Sequence, residues 1–350
     1  MSEIISDKKD IRSLSLDELT SLINELGEKK FRAGQIYGWL HDKKVSSFEE
    51  MTNVPKGLYE KLSEEYAIYG VEPIKVLASK IDGTRKYIQK LHDGNVIESV
   101  LLKYDYGNTV CISSQVGCRM GCRFCASTID GLERNLTSGE MVGQIYAIEK
   151  DINERVSHVV IMGSGEPMDN YDNFLGFVNL ITSEKGAKLS GRNITVSTCG
   201  IVPKIKELAE KELSLTLALS LHAVTDEKRK EIMPIANRYS LEEVINACAY
   251  YFEKTGRRIT LEYSLIAGQN DSKEDAKGLI KIASRLKSHV NLIPVNPIDE
   301  REYRATEEKA VAAFRTILEK NHVNATVRRE MGRDINGACG QLRRSYIQEN

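Results

Sequence analysis

The first part of the chain, up to about residue 65, carries apolar residues at helical spacing with polar residues between them. Three amphipathic stretches follow this pattern: Leu14, Leu16, Leu19, Leu22, Ile23 and Leu26, then Phe31, Ile36, Trp39 and Leu40, then Leu58 to Leu62. Ser15 or Asp17 can cap the first stretch, and Pro55 stands where the third helix can begin. The pattern predicts a small helical domain over residues 1–70.

Residues 71–105 have a different pattern, in which short apolar runs flank a turn. Residues 86–91 and 96–102 alternate in the manner of strands, and His92-Asp-Gly-Asn95 separates them. An Asp-Gly turn between two such runs is typical of a β-hairpin. We therefore expect a β-hairpin extension over residues 71–103.

From about residue 109 onward, strand-like runs alternate with helical patterns. The runs are 109–112, 158–162, 193–196, 215–219, 259–263, 290–293 and 325–327, and the helical patterns between them include 138–152, 203–211, 241–254, 273–286 and 307–321. Such alternation predicts an α/β fold whose parallel strands are joined by right-handed crossovers. Six to seven units fit a partial (β/α)6-type barrel over residues 104–350 better than a closed eightfold one. The loops after the strand ends would then build the active site.

Composition restricts the class of protein. The chain has 350 residues and seven cysteines, its first residues are charged without an apolar run, and no stretch of about 18 apolar residues occurs. We therefore expect a cytoplasmic protein without a membrane span. The net charge of −1 neither predicts nor excludes a nucleic-acid partner, so any basic surface must be local.

Three cysteines lie close together just after the first of the parallel strands, as Cys118-x3-Cys122-x2-Cys125. Three thiolates at this spacing can hold three irons of a [4Fe–4S] cluster and leave the fourth iron open for a ligand. A structural zinc site usually has four ligands, and no His or fourth Cys lies just downstream, so zinc is the weaker interpretation.

Other polar or glycine-rich positions also fall at predicted strand ends. Gly163-Ser-Gly-Glu166 follows the second strand, Ser197 the third, Ser220-Leu221-His222 the fourth, and Asn296 the sixth. Because the carboxyl ends of parallel strands meet at one mouth of a barrel, we expect these residues to converge with the three cysteines.

The three-cysteine motif after the first barrel strand resembles the radical S-adenosylmethionine (SAM) superfamily. The resemblance implies that SAM chelates the open iron of the [4Fe–4S] cluster and that reduction cleaves SAM to a 5′-deoxyadenosyl radical. Gly163-x-Gly165-Glu166 resembles the strand end that contacts the SAM methionyl amine in that superfamily. Glycines permit close backbone approach, and a carboxylate can accept from an ammonium.

Longer sequence segments resemble those of the RlmN-type adenine-C2 RNA methyltransferases. They are residues 31–40, 110–118, 162–170, 219–223, 291–297 and 337–342, with Ser164 and Met168 as small departures. The resemblance implies methylation of C2 of a 23S rRNA adenine near the peptidyl-transferase centre, and of an anticodon-loop adenine in some tRNAs. The SAM contacts it implies are Gly165, Glu166, Ser197, Ser220, Leu221, His222 and Asn296.

The same resemblance implies roles for three residues outside the cluster motif. Cys339 would take a methyl group from one SAM, and a second SAM would supply the radical that joins this carbon to adenine. Cys111 would then release the methylated RNA and leave a transient disulfide. Glu98 matches the position of the proton acceptor for the adenine C2–H, although a thiolate is an open alternative. Taken alone, Cys111 and Cys339 would be buried apolar residues, and Glu98 a solvated one.

Two alternatives stay open at this point. One is the related methyltransferase that acts on C8 of the same adenine, although the pair Glu166-Pro167 favours the C2 type. The other is a non-catalytic iron–sulfur protein that binds RNA or assists assembly.

Expectations about partners rest on weaker patterns. Basic residues surround Cys339 and accompany aromatic residues near the N-terminus: Arg328, Arg329, Arg333, Arg343 and Arg344, then Lys29, Lys30, Arg32, Lys43 and Lys44 with Phe31, Tyr37 and Trp39. Such sets suit phosphate contact and base stacking, or simply a solvated helix face. We also expect a monomer, a flipped target base and a reducing partner such as a flavodoxin or ferredoxin.

Overall fold

The structure is a computed structural model that describes residues 8–298 and 301–342. Its N-terminal part is helical, with α1 Leu16–Glu25, α2 Phe31–Gly38 and α3 Lys56–Glu65. Two short strands, β1 Lys9–Asp10 and β2 Tyr66–Ala67, pair in parallel and close this unit. Ser15 caps α1 by accepting from the Glu18 amide, while the Glu18 carboxylate accepts from the Ser15 amide. The predicted N-terminal helical domain is confirmed.

A ten-stranded sheet forms the centre of the molecule. Its strands are β3 Glu72–Ala78, β4 Arg85–Lys90, β5 Val96–Tyr104, β6 Gly107–Ile112, β9 Val156–Ile161, β10 Ile194–Thr198, β11 Thr216–Ser220, β12 Ile259–Leu265, β13 Ser288–Pro294 and β14 Ala325–Val327; β7 Gln115–Gly117 and β8 Leu132–Asn135 form a separate small hairpin. The spatial order is β14-β13-β12-β11-β10-β9-β6-β5-β4-β3. Within this sheet β6 and β9 to β14 are parallel, which confirms the predicted partial barrel.

The hairpin expected before the barrel is an antiparallel continuation of the same sheet. β5 pairs with β6, β4 with β5, and β3 with β4. The sequence pattern did not single out β3, whose side chains are exposed or half-buried and so lack the alternation of a half-buried strand.

Helices connect the parallel strands. They are α4 Ser138–Ile152, α5 Tyr171–Thr182, α6 Val202–Ala209, α7 Asp226–Ile232, α8 Leu241–Thr255, α9 Lys273–Arg285 and α10 Glu308–Lys320. The parallel strands follow one another in chain order across the sheet, so every crossover runs in the same direction. Within residues 8–298 and 301–342, no helix has the length and apolar character that a membrane crossing needs.

The turn between β3 and β4 holds the segment that carries Cys339, here called the Cys339 loop (residues 328–342). Asp82 Oδ2 accepts a hydrogen bond from the Gly332 amide at 2.9 Å, and Asp334 Oδ2 accepts one from the Lys80 amide at 2.9 Å. Hydrogen bonding to Gly332 and Thr84 lowers the pKa of Asp82 despite the opposing effect of burial. The extension of the sheet therefore fixes one side of the Cys339 loop.

Candidate active site

A cavity, here called the first cavity, opens at the carboxyl ends of the parallel strands. The predicted residues that line it are Cys118, Cys122, Cys125, Gly165, Glu166, Ser197, Ser220, His222, Asn296 and Cys339. These residues are remote in sequence: Cys339 follows β14, and the others lie at or just after the ends of β7, β9, β10, β11 and β13. The structure thus brings together the side chains that the strand-end argument expected at one mouth.

The three cysteines lie on the loop between β7 and β8. The loop is fixed locally: the Cys125 amide donates to the Cys122 carbonyl at 3.1 Å, and Thr128 Oγ1 donates to the Cys125 carbonyl at 2.9 Å. Burial, reinforced by the charge of Cys125, raises the pKa of Cys118 to about 12. Iron binds the thiolate form of cysteine, so bound iron would replace the protons of these buried neighbouring thiols. The donor set therefore fits an iron–sulfur cluster.

These thiols do not form a compact single-ion site. Over the described ranges, no group of three His, Cys, Asp or Glu side chains is arranged to hold one metal ion. A [4Fe–4S] cluster binds each thiolate to a different iron and therefore needs them farther apart than a mononuclear centre does.

The glycine-rich segment after β9 passes close to the neighbouring loop. Gly165 has φ +105°, and a Cβ atom there would lie 2.6 Å from the Gln115 Cβ. Only glycine fits this conformation without displacing the Gln115 backbone. The next residue, Glu166, is buried and lines the first cavity, and its Oε2 accepts from the Cys199 amide at 2.8 Å. Burial raises the pKa of Glu166, and the backbone hydrogen bonds oppose that effect.

Polar groups from β10 and β11 lie on the same wall. Ser197 Oγ and Ser220 Oγ are 3.3 Å apart, and His222 Nδ1 accepts from the Ser264 amide at 2.9 Å. Burial, with Arg229 adding to the effect, lowers the pKa of His222 to about 3, so the imidazole is neutral and carries its proton on Nε2. Leu221, in contrast, is fully buried in the apolar core and does not line the cavity.

The Cys339 loop is attached to the rim of this cavity. Asn296 Nδ2 donates to the Cys339 carbonyl at 2.9 Å. The Ala126 amide donates to the Gly340 carbonyl at 2.8 Å, which ties the loop to the segment that follows Cys125. Asn296 therefore contacts the backbone of Cys339, which the sequence did not indicate.

A further cavity, here called the second cavity, adjoins the first and shares Cys339, Asn296 and Arg328 with it. Both Cys111 and Cys339 line it, and Cys339 also lines the first cavity. Cys111 is buried on β6, opposite Val100 of β5. Burial raises the pKa of Cys111 to about 12; the charge of Cys339 adds to the effect and Arg328 opposes it. The two cysteines are thus electrostatic neighbours despite their separation in the chain.

Glu98 is buried on β5 rather than solvated. Its carboxylate forms an ion pair with Lys86 of β4, with Lys86 Nζ 2.8 Å from Oε1. Lys86 Nζ also donates to the Asn336 carbonyl of the Cys339 loop at 3.3 Å. Glu98 lines neither cavity, so the structure does not bring it directly to the two cysteines.

Sequence reasoning missed two residues of the site, Phe124 and Glu262. The Phe124 ring lies 4.6 Å from the His222 ring in an edge-on arrangement. Glu262 is buried at the first cavity; among the described residues its Oε2 has no hydrogen-bond partner, and it lies 3.8 Å from Arg328 Nη1. Phe124 lies on the three-cysteine loop and Glu262 on β12, and these positions could have indicated them because other site residues hold equivalent places.

Arg328, which the sequence places in the basic set around Cys339, is half-buried and lines both cavities. The charge of Cys339 raises the pKa of its guanidinium, and Glu262 and Cys111 act in the same direction. Arg329 and Arg333 are exposed, whereas Arg343 and Arg344 lie outside the described residues.

Comparison with known proteins defines the class. The family model described as the radical SAM superfamily matches residues 112–280, and the ribosomal RNA large subunit methyltransferase N-terminal domain matches residues 9–68. A crystal structure of a radical SAM methyltransferase from Sphaerobacter thermophilus superposes with a TM-score of 0.91 at 39% identity, covering 96% of this chain and 99% of that one. The fold and the site are therefore those of a radical SAM enzyme, which uses a [4Fe–4S] cluster and SAM.

Curated relatives define the family. The chain is 59% identical to a probable dual-specificity RNA methyltransferase RlmN of Lachnospira eligens over 97% of both chains. It is 58% identical to the protein of the same description from Lachnoclostridium phytofermentans, over 98% of this chain and 96% of that one. The chain belongs to the RlmN family of SAM-dependent RNA methyltransferases.

Proposed function

We propose that this enzyme methylates C2 of an adenine in 23S rRNA, and of an anticodon-loop adenine in tRNA, through a carbon carried on Cys339. The observation that carries the proposal is the position of Cys339, which lines both the first cavity and the second cavity. A group that must meet SAM on one side and RNA on the other needs such a position. The names of the RlmN relatives, which specify dual-specificity RNA methyltransferases, support the two kinds of substrate.

Cys118, Cys122 and Cys125 are proposed to hold the [4Fe–4S] cluster. When bound, the cluster supplies the electron that cleaves SAM reductively. Glu166 is proposed to accept hydrogen bonds from the SAM ammonium, and Ser197, Ser220, His222 and Asn296 to hold its remaining polar groups. Gly165 keeps the backbone close to the ligand. The buried side chain of Leu221 leaves it only a backbone contribution.

Cys339 is proposed to accept the methyl group. Asn296 is proposed to orient Cys339 through the hydrogen bond to its carbonyl. The positive charge of Arg328 opposes the effect of burial on the pKa of Cys111 and so favours the anionic form of that thiol. After the carbon has joined adenine, the adduct must lose its C2 proton and one electron, which the oxidised cluster would take up. The Cys111 thiolate then attacks the Cys339 sulfur. The sulfur–sulfur bond forms as the carbon–sulfur bond breaks, the released carbon keeps the electron pair and takes a proton to become the methyl group, and a dithiol reductant restores both thiols.

Glu98 is proposed as the acceptor of the adenine C2 proton, in competition with a thiolate. Its buried pairing with Lys86 keeps a carboxylate available at low solvent exposure. Lys86 also contacts the Asn336 carbonyl, so a movement of the Cys339 loop would be transmitted to Glu98 through Lys86.

The division into residues 1–70, 71–103 and 104–350 is proposed to be functional. The first unit would dock RNA, the second would hold the Cys339 loop, and the third would bind the cluster and SAM. A cytoplasmic location follows from the proposed rRNA substrate. The monomeric state and the flavodoxin or ferredoxin donor stay predictions.

The proposed function is tested by locating the methyl group. rRNA and tRNA from a deletion strain and its parent are digested to nucleosides and analysed by mass spectrometry against 2-methyladenosine and 8-methyladenosine standards. We expect 2-methyladenosine to be lost in the deletion strain and restored by the cloned gene. Loss of 8-methyladenosine instead would establish the C8 enzyme, and no change in either nucleoside would favour a non-catalytic RNA-binding protein.

A further inference from the structure

The turn between β5 and β6 carries two tyrosines whose rings are stacked. The Tyr104 and Tyr106 centroids are 4.9 Å apart and their planes differ by 10°. The ring of His158 lies 5.0 Å from Tyr106 in an edge-on arrangement and supports the pair from one side. Three rings, from the end of β5, the β5–β6 turn and β9, therefore form one aromatic surface.

The outer ring of this pair is not explained by burial. Tyr106 is 63% exposed, so its second face contributes little to the stability of the apolar core. Tyr104 is half-buried and packs against the group that contains Val100, Leu102 and Cys111. The inner ring thus connects the exposed ring to the wall that holds Cys111.

The aromatic pair is continuous with the second cavity. Tyr104 lines this cavity together with Cys111 and Cys339. The same cavity is also lined by Arg315, Arg328, Arg329 and Arg333, and by the acidic Glu308 and Glu330. Positive side chains beside an exposed aromatic face suit a nucleic-acid strand, whose phosphates need cations and whose unpaired bases need a stacking partner.

We propose that Tyr106, supported by Tyr104, stacks on an unpaired base that neighbours the target adenosine in the RNA. The proposal rests on the proposed function, because it takes the second cavity to be the entrance for the target base. A base drawn out of its helix loses its own stacking, and the neighbour that it leaves behind gains a new partner on the tyrosine. The platform would hold the strand while the target adenosine reaches Cys339.

A binding experiment tests this without depending on methylation. The reconstituted holoenzyme is titrated with a 23S rRNA fragment that contains the target adenosine, and with fragments carrying a single abasic site at each flanking position. Wild-type protein should lose affinity on the order of ten-fold at one flanking position, which is the usual size of a base–aromatic stack. Tyr106→Ala should bind the intact fragment about as weakly, and should lose nothing more at that same position.

Tyr106→Phe is the matched control, since it keeps the ring and removes only the hydroxyl group; it should bind as wild type does. Formation of S-methylcysteine at Cys339 from SAM alone should be equal in all three proteins, and that readout would fall if Tyr106→Ala merely disturbed the fold. Equal losses for wild type and Tyr106→Ala at every abasic position would overturn the proposal, as would unchanged binding of Tyr106→Ala to the intact fragment. If Tyr106→Ala loses no further affinity at that abasic position but the enzyme forms no 2-methyladenosine, the proposed function is overturned and the stacking contact is still established.

Discussion

Lys86 Nζ lies 2.8 Å from the Glu98 carboxylate, and both side chains are almost completely removed from water. Breaking a buried pair by removing one partner usually costs about 3–5 kcal/mol, because the other charge is left without compensation. The pair therefore combines a structural role with the proposed chemical one, and a test of Glu98 must separate the two.

Glu98→Gln keeps a hydrogen-bond acceptor for Lys86 but cannot take a proton as a carboxylate does. We expect formation of S-methylcysteine at Cys339 to be unchanged and RNA methylation to fall by about 10²-fold or more, the usual contribution of a general base. Single-turnover assays of both products give the answer. If Lys86→Met produced the same defect as Glu98→Gln, the loss would reflect the pair and not proton transfer.

Cys111→Ala should stop the reaction after the carbon has joined adenine. The variant retains Cys339 and the first cavity, so Cys339 should still be methylated and its carbon should still bond to the adenine. Without a thiol to attack the Cys339 sulfur, a covalent protein–RNA adduct should accumulate. A denaturing gel with labelled RNA detects it, and Cys248→Ala, which removes a buried thiol that lines neither cavity, is the control. Normal release of methylated RNA by Cys111→Ala would contradict the role of this thiol.

Release should also depend on pH with a definite sign. Burial raises the pKa of Cys111 to about 12, so only a small fraction of this thiol is ionised near neutral pH. Between pH 7 and pH 9 that fraction grows about ten-fold per pH unit, and the rate of adduct breakdown should rise with it. The Arg328 guanidinium lowers the pKa of Cys111, so Arg328→Met should slow release at each pH in this range. A pH-independent rate would indicate that thiolate attack does not limit release.

Asp82→Asn should weaken the attachment of the Cys339 loop to the β3–β4 turn. The Gly332 amide would lose a charged acceptor at 2.9 Å, a change of about 1 kcal/mol. Reductive cleavage of SAM, which needs only the first cavity, should be unaffected, whereas methylation of Cys339 should slow several-fold. Asp105→Asn, at an exposed turn of the same sheet, is the matched control. Equal loss of both activities would mean that Asp82 supports general folding.

The sequence predicts features that depend on neighbouring residues better than features that depend on residues far apart in the chain. The strands β6 and β9 to β14 and the residues at their ends were predictable because periodicity and chain order are local signals. The contacts Asp82–Gly332 and Lys86–Asn336 join residues about 250 positions apart and left no such signal. The burial of Glu98 was missed for the same reason, since its partner Lys86 is recognisable only once β4 and β5 are in register.

The central claim is that the methyl group reaches adenine as a bridging carbon on Cys339, and SAM labelled with three deuterium atoms in its methyl group tests it most directly. One deuterium must be removed before the carbon can bond to the ring, so 2-methyladenosine isolated after several turnovers should carry two. The Cys339→Ala variant should form no 2-methyladenosine at all. Methyladenosine that retains all three deuterium atoms, or that is still formed by Cys339→Ala, would contradict the account.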